Sequence, residues 1–326
     1  MTTQSFSTPS KKLIRQKWIK PLLQLISDIS GEKLLYFGLP GAEAEDIDDW
    51  IEFLHIVFAF QDEDTRYPNA YQKLYDKLES LERQKKIRSF SVFDGYMERV
   101  IMEGFDSQNR EFNLSEIVTL YNLDFCNQVD FPIKSQTIEG EPLIIGKFDA
   151  IKRLLEIQKG INNLSTKFVL FLTIHCSYND KKTKSHFDSP HQFSKYVSET
   201  NTKLKGKGDD KNARSLRLYI IEHLSKYFSS AGFIGDFLPT IFYEGLGNTQ
   251  MLLFTIIGTK MENEVPNQEI DTEGLIKSKF LSPNNANTGF ENFTRIELNE
   301  QDNYFNNSVE LFKETTTFKN YWQNNA

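Results

Sequence analysis

Residues 33–41 read KLLYFGLPG, and they give the first indication of the fold class. It begins with an apolar run of strand length and continues into a tight turn that contains Gly38 and Gly41. Residues 42–54 then carry apolar side chains at helical spacing. A strand, a glycine-containing turn and a helix build the first half of a βαβ unit, in which the backbone of the turn can approach a ligand closely.

The same alternation continues for the next 120 residues. Strand-like apolar runs are predicted at 55–60, 87–93, 117–125 and 167–175, and helical patterns between them at 69–86, 96–103 and 148–161. Strands that alternate with helices predict a parallel sheet joined by right-handed crossovers. Their nearly continuous apolar character fits a sheet that is covered on both faces.

The pattern changes after residue 176. A helix is predicted at 213–231, followed by two strands at 238–244 and 250–259 around the turn sequence GLGNT. The sequence therefore predicts an α/β protein with a Rossmann-like, mostly parallel seven-stranded sheet, an antiparallel terminal β-hairpin and helices on both faces. Its parts are a tail and helix at 1–30, the Rossmann domain at 31–260 with a basic insertion at 177–215, and a C-terminal extension at 261–326.

Composition narrows the setting of the protein. Hydrophobic residues make up 39% of the chain and charged residues 25%, which is ordinary for a folded protein with a real core. There are two cysteines, Cys126 and Cys176, no secretory pattern at the N-terminus and no apolar run of about 18 residues. We therefore expect a cytoplasmic protein with reduced cysteines and no membrane span.

Charge is unevenly distributed along the chain. The formal net charge is −7, but residues 181–217 hold ten Lys and Arg against four acids, with Phe187, Phe193 and Tyr196 interleaved. Such a segment either binds nucleic acid through its charges and rings or is a solvated loop. On the first interpretation the substrate contacts include Lys181, Lys182 and Lys184.

The layout of five strand–helix units, a further helix and a terminal hairpin resembles the class I S-adenosylmethionine-dependent methyltransferases over roughly residues 30–260. The resemblance implies S-adenosylmethionine as cofactor, with Gly38 and Gly41 near its methionine part. It implies Asp62 as acceptor for the ribose hydroxyls, with Glu63 and Asp64 as rivals, and Asp94 near adenine. The run NLDFCN at 122–127 stands at the substrate position, which implies a catalytic role for Asp124 and substrate contact by Asn127.

The basic N-terminal helix, followed by a strand and Gly-x-Pro-Gly, also resembles the three-Cys-motif partner proteins, often found among bacterial defence genes. The chain departs from the methyltransferase pattern in three places. Tyr36 and Phe37 stand where the family has an acid, Pro40 removes a donor from the turn, and residues 122–127 lack the two prolines of amino-methyltransferases. Leu39, Tyr36 or Phe60 would exclude a cofactor if its side chain filled the space after the first strand.

Three hypotheses follow. The first is a methyltransferase of unknown acceptor, with nucleic acid and a role in antiviral defence as the specific forms. The second is a catalytically degenerate subunit that serves as a protein-interaction module in a larger defence complex. The third is a nucleotide-sensing or nucleotide-modifying Rossmann enzyme that binds a different adenosine ligand.

The remaining chemistry-bearing residues give weaker patterns. His175 and Cys176 end the fifth predicted strand, where the histidine is either a proton acceptor or a partly buried structural residue. No second His/Cys pair stands at ligand spacing, so no metal is expected. The neighbouring Ser185, His186 and Asp188 do not form a hydrolase triad pattern.

Overall fold

The architecture was analysed in a computed structural model of the chain. The described residues are 8–62, 69–129, 131, 133–136, 142–161, 166–176, 190–204, 211–261, 269–277, 280–283, 293–296, 301–303 and 308–323.

The N-terminal helical segment begins at Pro9 and is divided into three parts. Helix α1 spans Pro9–Leu13, a π-helix spans Ile14–Ile19, and α2 spans Lys20–Ser30. The predicted N-terminal helix is thus present. It changes from π-helix to α-helix directly before Pro21, which has no N–H to donate to the preceding turn. Gly31 ends the segment in the left-handed region at φ 67°.

The predicted strand–helix units are present with small shifts of their ends. The strands are β1 Leu34–Gly38, β2 Leu54–Gln61, β3 Ser89–Asp94, β4 Leu120–Gln128 and β7 Lys167–His175. The helices are α3 Glu45–Trp50, α4 Ala70–Arg83, α5 Met97–Glu103 and α6 Lys147–Gly160. The helix predicted at 42–54 is shorter, because its last turn is a 3-10 turn at Ile51–Phe53.

The order of the strands is β3-β2-β1-β4-β7-β10, where β10 spans Gln250–Lys260. The first five strands are parallel, and β10 runs antiparallel to β7. Beyond β10 lie β8 Phe233–Phe237 and β9 Ile241–Glu244, both antiparallel to β10 and therefore parallel to β1. This confirms the Rossmann-like, class I methyltransferase-like fold.

Three parts of the prediction were wrong in detail. The strand expected at 238–244 is shortened to β9, and β8, which precedes it, was not predicted. The sheet does not stop at seven strands, because β11 Phe280–Pro283, β12 Phe293–Ile296 and β13 Gln301–Asn303 extend it beyond β9. A separate hairpin, β5 Ile133–Gln136 and β6 Pro142–Ile145, was not predicted.

Two apolar clusters cover the faces of the sheet. Two further helices are α7 Pro190–Lys203 and α8 Lys211–Ser230. One face of the sheet packs against α5, α6 and α8. The other face packs against the N-terminal segment, α3, α4 and the C-terminal helices α10 Ser308–Lys313 and Phe318–Trp322. Helix α9 Thr272–Lys277 lies on the first of these faces, where it contacts α8. The sheet is therefore covered on both faces, as predicted.

The two chain termini contact the same strand. The indole Nε1 of Trp18 donates to Thr255 Oγ1 at 2.8 Å, and that of Trp322 donates to Thr259 Oγ1 at 2.9 Å. Both tryptophans are almost fully buried, and each lies in a π-helix. Because an unpaired buried N–H is costly, the two threonines of β10 determine where both terminal segments dock.

Candidate functional site

The strand order reverses between β1 and β4, because β2 and β3 lie on one side of β1 and β4 and β7 lie on the other. In open α/β sheets, ligands bind at the carboxyl ends of the strands next to such a reversal. The candidate ligand site therefore lies around the last residues of β1 to β4.

Gly38 ends β1 opposite Asn122 of β4. A Cβ on Gly38 would lie 2.1 Å from the Asn122 carbonyl oxygen, which also accepts a hydrogen bond from the Leu39 N–H at 3.0 Å. The close approach of the two strands therefore requires glycine here, whether or not a ligand binds. Gly41 has a φ of 68°, and a Cβ there would meet no atom within 4 Å, so its role is to form the turn.

A buried polar network lies beneath this turn. The Tyr36 hydroxyl donates to Asp46 Oδ2 at 2.6 Å, and Asn122 Nδ2 donates to the same oxygen at 2.6 Å. The Ile47 N–H donates to the other carboxylate oxygen at 2.8 Å. Tyr36 stands where the family resemblance expects an acid, and its hydroxyl binds the Asp46 carboxylate of the following helix, α3.

Burial governs the ionisation of this network. It raises the pKa of Asp46, against the hydrogen bonds from Tyr36, Ile47 and Asn122 that lower it. Burial and the neighbouring Asp46 carboxylate raise the pKa of the Tyr36 phenol well above its ordinary value. With Asp46 only 6% exposed, the network supports the turn from below and does not face a ligand.

The N-terminal segment crosses the carboxyl ends of β1 and β4. Lys11 Nζ lies 2.6 Å from Asp124 Oδ2, and their side chains are 15% and 26% exposed. Arg15 binds two acids of α3, Glu45 at 2.7 Å and Asp49 at 2.8 Å. The predicted catalytic residue Asp124 thus lies at the switch point, in an ion pair with a lysine that the sequence did not single out.

Asp62 and Asp94 end neighbouring strands at the same edge. Gln61 is paired with Asp94 in the register of β2 and β3, so Asp62 is the next residue along, and both acids are partly exposed. The rivals Glu63 and Asp64 lie outside the described residues. The two acids predicted for the ribose and the adenine therefore lie at the ends of adjacent strands.

Asp94 is held by the loop that follows α5. Its Oδ2 accepts hydrogen bonds from the Ser107 hydroxyl and from Gln108 Nε2 at 3.3 Å. The Asp106 carboxylate in turn fixes that loop, because it accepts hydrogen bonds from the backbone N–H groups of Asp94 and Gln108. Burial acts to raise the pKa of Asp106, but the hydrogen bonds from Arg110 hold it below its ordinary value. The loop keeps Asp94 oriented, a feature with no sequence pattern of its own.

The three side chains proposed to exclude a cofactor are all packed. Tyr36 is in the polar network on one face of the sheet. Phe60 lies on the opposite face, with its ring centroid 4.9 Å from Phe37 and 5.2 Å from Phe93. Leu39 is partly buried against the same cluster as Phe60. Each side chain is therefore engaged in the core on its own face.

The remaining predicted residues are dispersed. Asn127 is exposed near the end of β4, while Lys181, Lys182 and Lys184 lie outside the described residues. His175 ends β7 opposite Gln128 and is partly buried, and burial lowers its pKa. The adjacent Cys176 is buried, which raises the pKa of its thiol.

The described part of the basic segment does not present rings for base stacking. Phe193 and Tyr196 are buried against Tyr219, at ring-centroid distances of 5.6 and 5.5 Å. Arg214 and Arg217 are also buried, and burial together with the Arg214 charge lowers the pKa of Arg217 to about 9. Phe193 and Tyr196 were therefore wrongly interpreted as stacking groups, because α7 uses them as core residues, while Phe187 lies outside the described residues.

Within the described ranges, no group of three or more His, Cys, Asp and Glu side chains is arranged to hold a metal ion. Of the helices in that part of the chain, none is both long and apolar enough to cross a membrane.

Comparison with known proteins gives matches in structure alone. No family model matches the sequence, and no curated protein matches it. Among solved structures, the chain is similar to a proposed O-methyltransferase from Klebsiella pneumoniae, at 8% identity and a TM-score of 0.37, over 80% of this chain and 84% of that one.

Two further solved structures are similar at the same level. A SAM-dependent methyltransferase from Agrobacterium tumefaciens matches at 14% identity and a TM-score of 0.36, over 79% of this chain and 64% of that one. A proposed methyltransferase from Streptococcus mutans, in complex with SAH, matches at 12% identity and a TM-score of 0.34, over 74% and 97%. At these values the fold assignment rests on the strand order of this chain.

Proposed function

We propose that this chain is an S-adenosylmethionine-dependent methyltransferase whose cofactor lies across the carboxyl ends of β1, β2 and β3. The observation that carries the proposal is the placement of Asp62 and Asp94 at adjacent strand ends, beside the switch point of the sheet. Ligands of open α/β sheets bind at this edge.

The chemistry of these acceptors fits the adenosine end of the cofactor. The ribose offers two neighbouring hydroxyl donors, which suit the two oxygens of the Asp62 carboxylate. The adenine amino group is also a donor, and Asp94 is kept oriented by Ser107 and Gln108 to accept from it. At the methionine end, the turn from Gly38 to Gly41 brings backbone close to the ligand, although Pro40 contributes no N–H.

When bound, S-adenosylmethionine would supply a methyl group on a sulfonium, which is the reactive part of the system. The residues of the chain would bind and align the reactants. Asp62 and Asp94 would hold the adenosine, and Asp124 would meet the acceptor one strand away from the first turn. Alignment of this kind needs few residues of fixed type, which is compatible with the departures at Tyr36 and Pro40.

One observation favours the alternative, a degenerate subunit that serves as an interaction module. The Lys11–Asp124 ion pair and the Arg15 contacts fasten the N-terminal segment across the switch point. If that segment stays in place, Lys11 occupies Asp124 and no external acceptor can reach that carboxylate. A role in bacterial defence belongs to the same hypothesis and rests on the family resemblance.

A nucleic-acid acceptor remains a more specific form of the proposal. Of the described basic residues in the segment, Lys195 pairs with Glu199 and Lys203 with Glu273, while both arginines are buried. Nucleic-acid binding would therefore depend on Lys181, Lys182 and Lys184 together with the other lysines of the segment, Lys205, Lys207 and Lys211.

Calorimetric titration with S-adenosylhomocysteine tests the proposal without knowledge of the acceptor. We expect binding by the wild type that weakens about 10- to 100-fold in Asp62→Asn and in Asp94→Asn, the effect of losing a hydrogen bond to a charged group. Asp76→Asn, an exposed acid on α4, is the matched control and should bind like the wild type. No binding by a folded wild-type sample would refute the proposal and favour the interaction module.

A further inference from the structure

The Lys11–Asp124 pair places a primary amine of the chain at the switch point of the sheet. Lys11 lies on α1, where the Thr8 hydroxyl accepts the Lys11 N–H as the helix N-cap. Its Nζ is 2.6 Å from Asp124 Oδ2, with only 15% of the lysine side chain exposed. An ammonium group is thus already bound by the acid that the proposed function assigns to the methyl acceptor.

The amine is held there by the packing of the whole N-terminal segment. Arg15 binds Glu45 and Asp49 one turn later, and Trp18 donates to Thr255 from a buried position. The Ser308 hydroxyl donates to the Trp18 carbonyl oxygen and fixes the π-helix from the C-terminal side. Lys11 is therefore delivered to Asp124 by four anchored contacts, which distinguishes it from a mobile surface lysine.

The position of Asp124 relative to the first turn follows from the sheet register. Asn122 is opposite Gly38, and Asp124 is two residues further along β4, which is about 7 Å beyond the turn. Because side chains alternate along a strand, Asp124 shares a face with Asn122, the face that the N-terminal segment covers. Lys11 Nζ thus lies beside the crevice in which the methyl donor is proposed to bind.

We infer that Lys11 is a methylation site, with its ε-amine as the acceptor of the chain's own methyl transfer; this inference rests on the proposed function. The ammonium of Lys11 gives a proton to the Asp124 carboxylate, which later releases it to water. The neutral amine then forms a bond to the methyl carbon as the carbon–sulfur bond breaks and its electron pair stays on sulfur. The products are methyl-lysine at position 11 and S-adenosylhomocysteine.

The same geometry defines the class of acceptor as a primary alkylamine. Asp124 binds an ammonium through a single carboxylate oxygen, which suits a point charge on a flexible alkyl chain. Lys12, the next residue, is exposed on the same helix and provides a natural comparison. Reaction at Lys11 with none at Lys12 would reflect delivery by the fold, because the two side chains are chemically identical.

The test is mass spectrometry of the full-length protein after incubation with methyl-deuterated S-adenosylmethionine. We expect one labelled methyl group per chain on the peptide that contains Lys11, at a rate per chain that does not depend on protein concentration. Lys11→Arg, which keeps a cation for Asp124, should abolish labelling, and Lys12→Arg should leave it unchanged. Asp124→Asn should slow it at least about 100-fold, the lower end of the range for loss of a positioned proton acceptor.

Binding provides the readout that separates this inference from the proposed function. Calorimetry with S-adenosylhomocysteine should give the same affinity for the wild type and for Lys11→Arg. Binding without label, or with label on lysines other than Lys11, overturns the inference and leaves the proposed function standing. Absence of binding overturns both. Protein isolated from a host that makes the cofactor should already carry methyl groups at Lys11.

Discussion

Removal of the Tyr36 hydroxyl tests the buried network beneath the first turn. In Tyr36→Phe the Asp46 carboxylate loses its donor at 2.6 Å but keeps Asn122 and the Ile47 N–H. A hydrogen bond to a charged, buried group contributes about 1.5–3 kcal/mol, and we expect the free energy of unfolding to fall by that amount near neutral pH.

The size of this loss should depend on pH in a defined direction. The pKa of Asp46 is raised in the folded protein above its ordinary value of 3.8. Folding therefore favours the protonated form of Asp46. The resulting contribution to the free energy of unfolding is complete below the pKa of the unfolded state, and it is lost as the pH rises through the pKa of the folded state. The Tyr36 hydroxyl limits the loss by stabilising the carboxylate, so Tyr36→Phe should be more destabilising near neutral pH than at about pH 4.

Urea denaturation at the two pH values measures the free energy of unfolding. Subtracting the variant from the wild type cancels the pH dependence of the titratable groups that both proteins share. Tyr75→Phe is the control, since Tyr75 is a partly buried tyrosine whose ring lies 5.2 Å from Phe90. Its effect should stay within about 0.5 kcal/mol. A Tyr36→Phe loss that is equal at both pH values, or larger in acid, would refute the assignment of Asp46 as a buried carboxylate held by Tyr36.

Three further predictions concern other described contacts. Gly38→Ala places a methyl group 2.1 Å from the Asn122 carbonyl oxygen, so we expect about 3 kcal/mol of destabilisation in urea; an unchanged midpoint would contradict the close approach of β1 and β4. Trp322→Phe loses the bond to Thr259, which should lower Tm by about 2 °C in calorimetry, and no shift would count against that contact. With the other cysteine replaced by serine, Cys176 should react with a disulfide reagent only as the protein unfolds, because burial raises its thiol pKa; rapid labelling of folded protein would disprove its burial.

The sequence was most informative where one residue type served one structural purpose. The apolar runs of β1 and β7 predicted central strands because both strands are buried along nearly their whole length. The terminal strands β11, β12 and β13 gave no comparable signal, since they extend an existing sheet and need no apolar run of their own. The aromatic residues of α7 were predicted to stack on bases and are buried instead. The charged sequence around Tyr196 does not show that its ring faces the core.

The candidate site was predictable only in part, for a related reason. The shared edge of Asp62 and Asp94 could be predicted because both residues stand at strand ends, and the register places such residues at one edge. Lys11 and Asp46 were missed because their partners are distant in sequence: Lys11 is 113 residues from Asp124, and Asp46 is 76 residues from Asn122. Pattern and periodicity describe local structure, so contacts of this range appear only once the chain is folded.

The two tryptophan contacts to β10 set the order in which the chain can finish folding during synthesis. Trp18 leaves the ribosome early, yet its hydrogen-bond acceptor, Thr255, is made 237 residues later. Until then the indole N–H of Trp18 lacks its acceptor, although the segment can already pack on β1 and α3. Docking of the N-terminal segment is therefore completed only after β10 has joined the sheet.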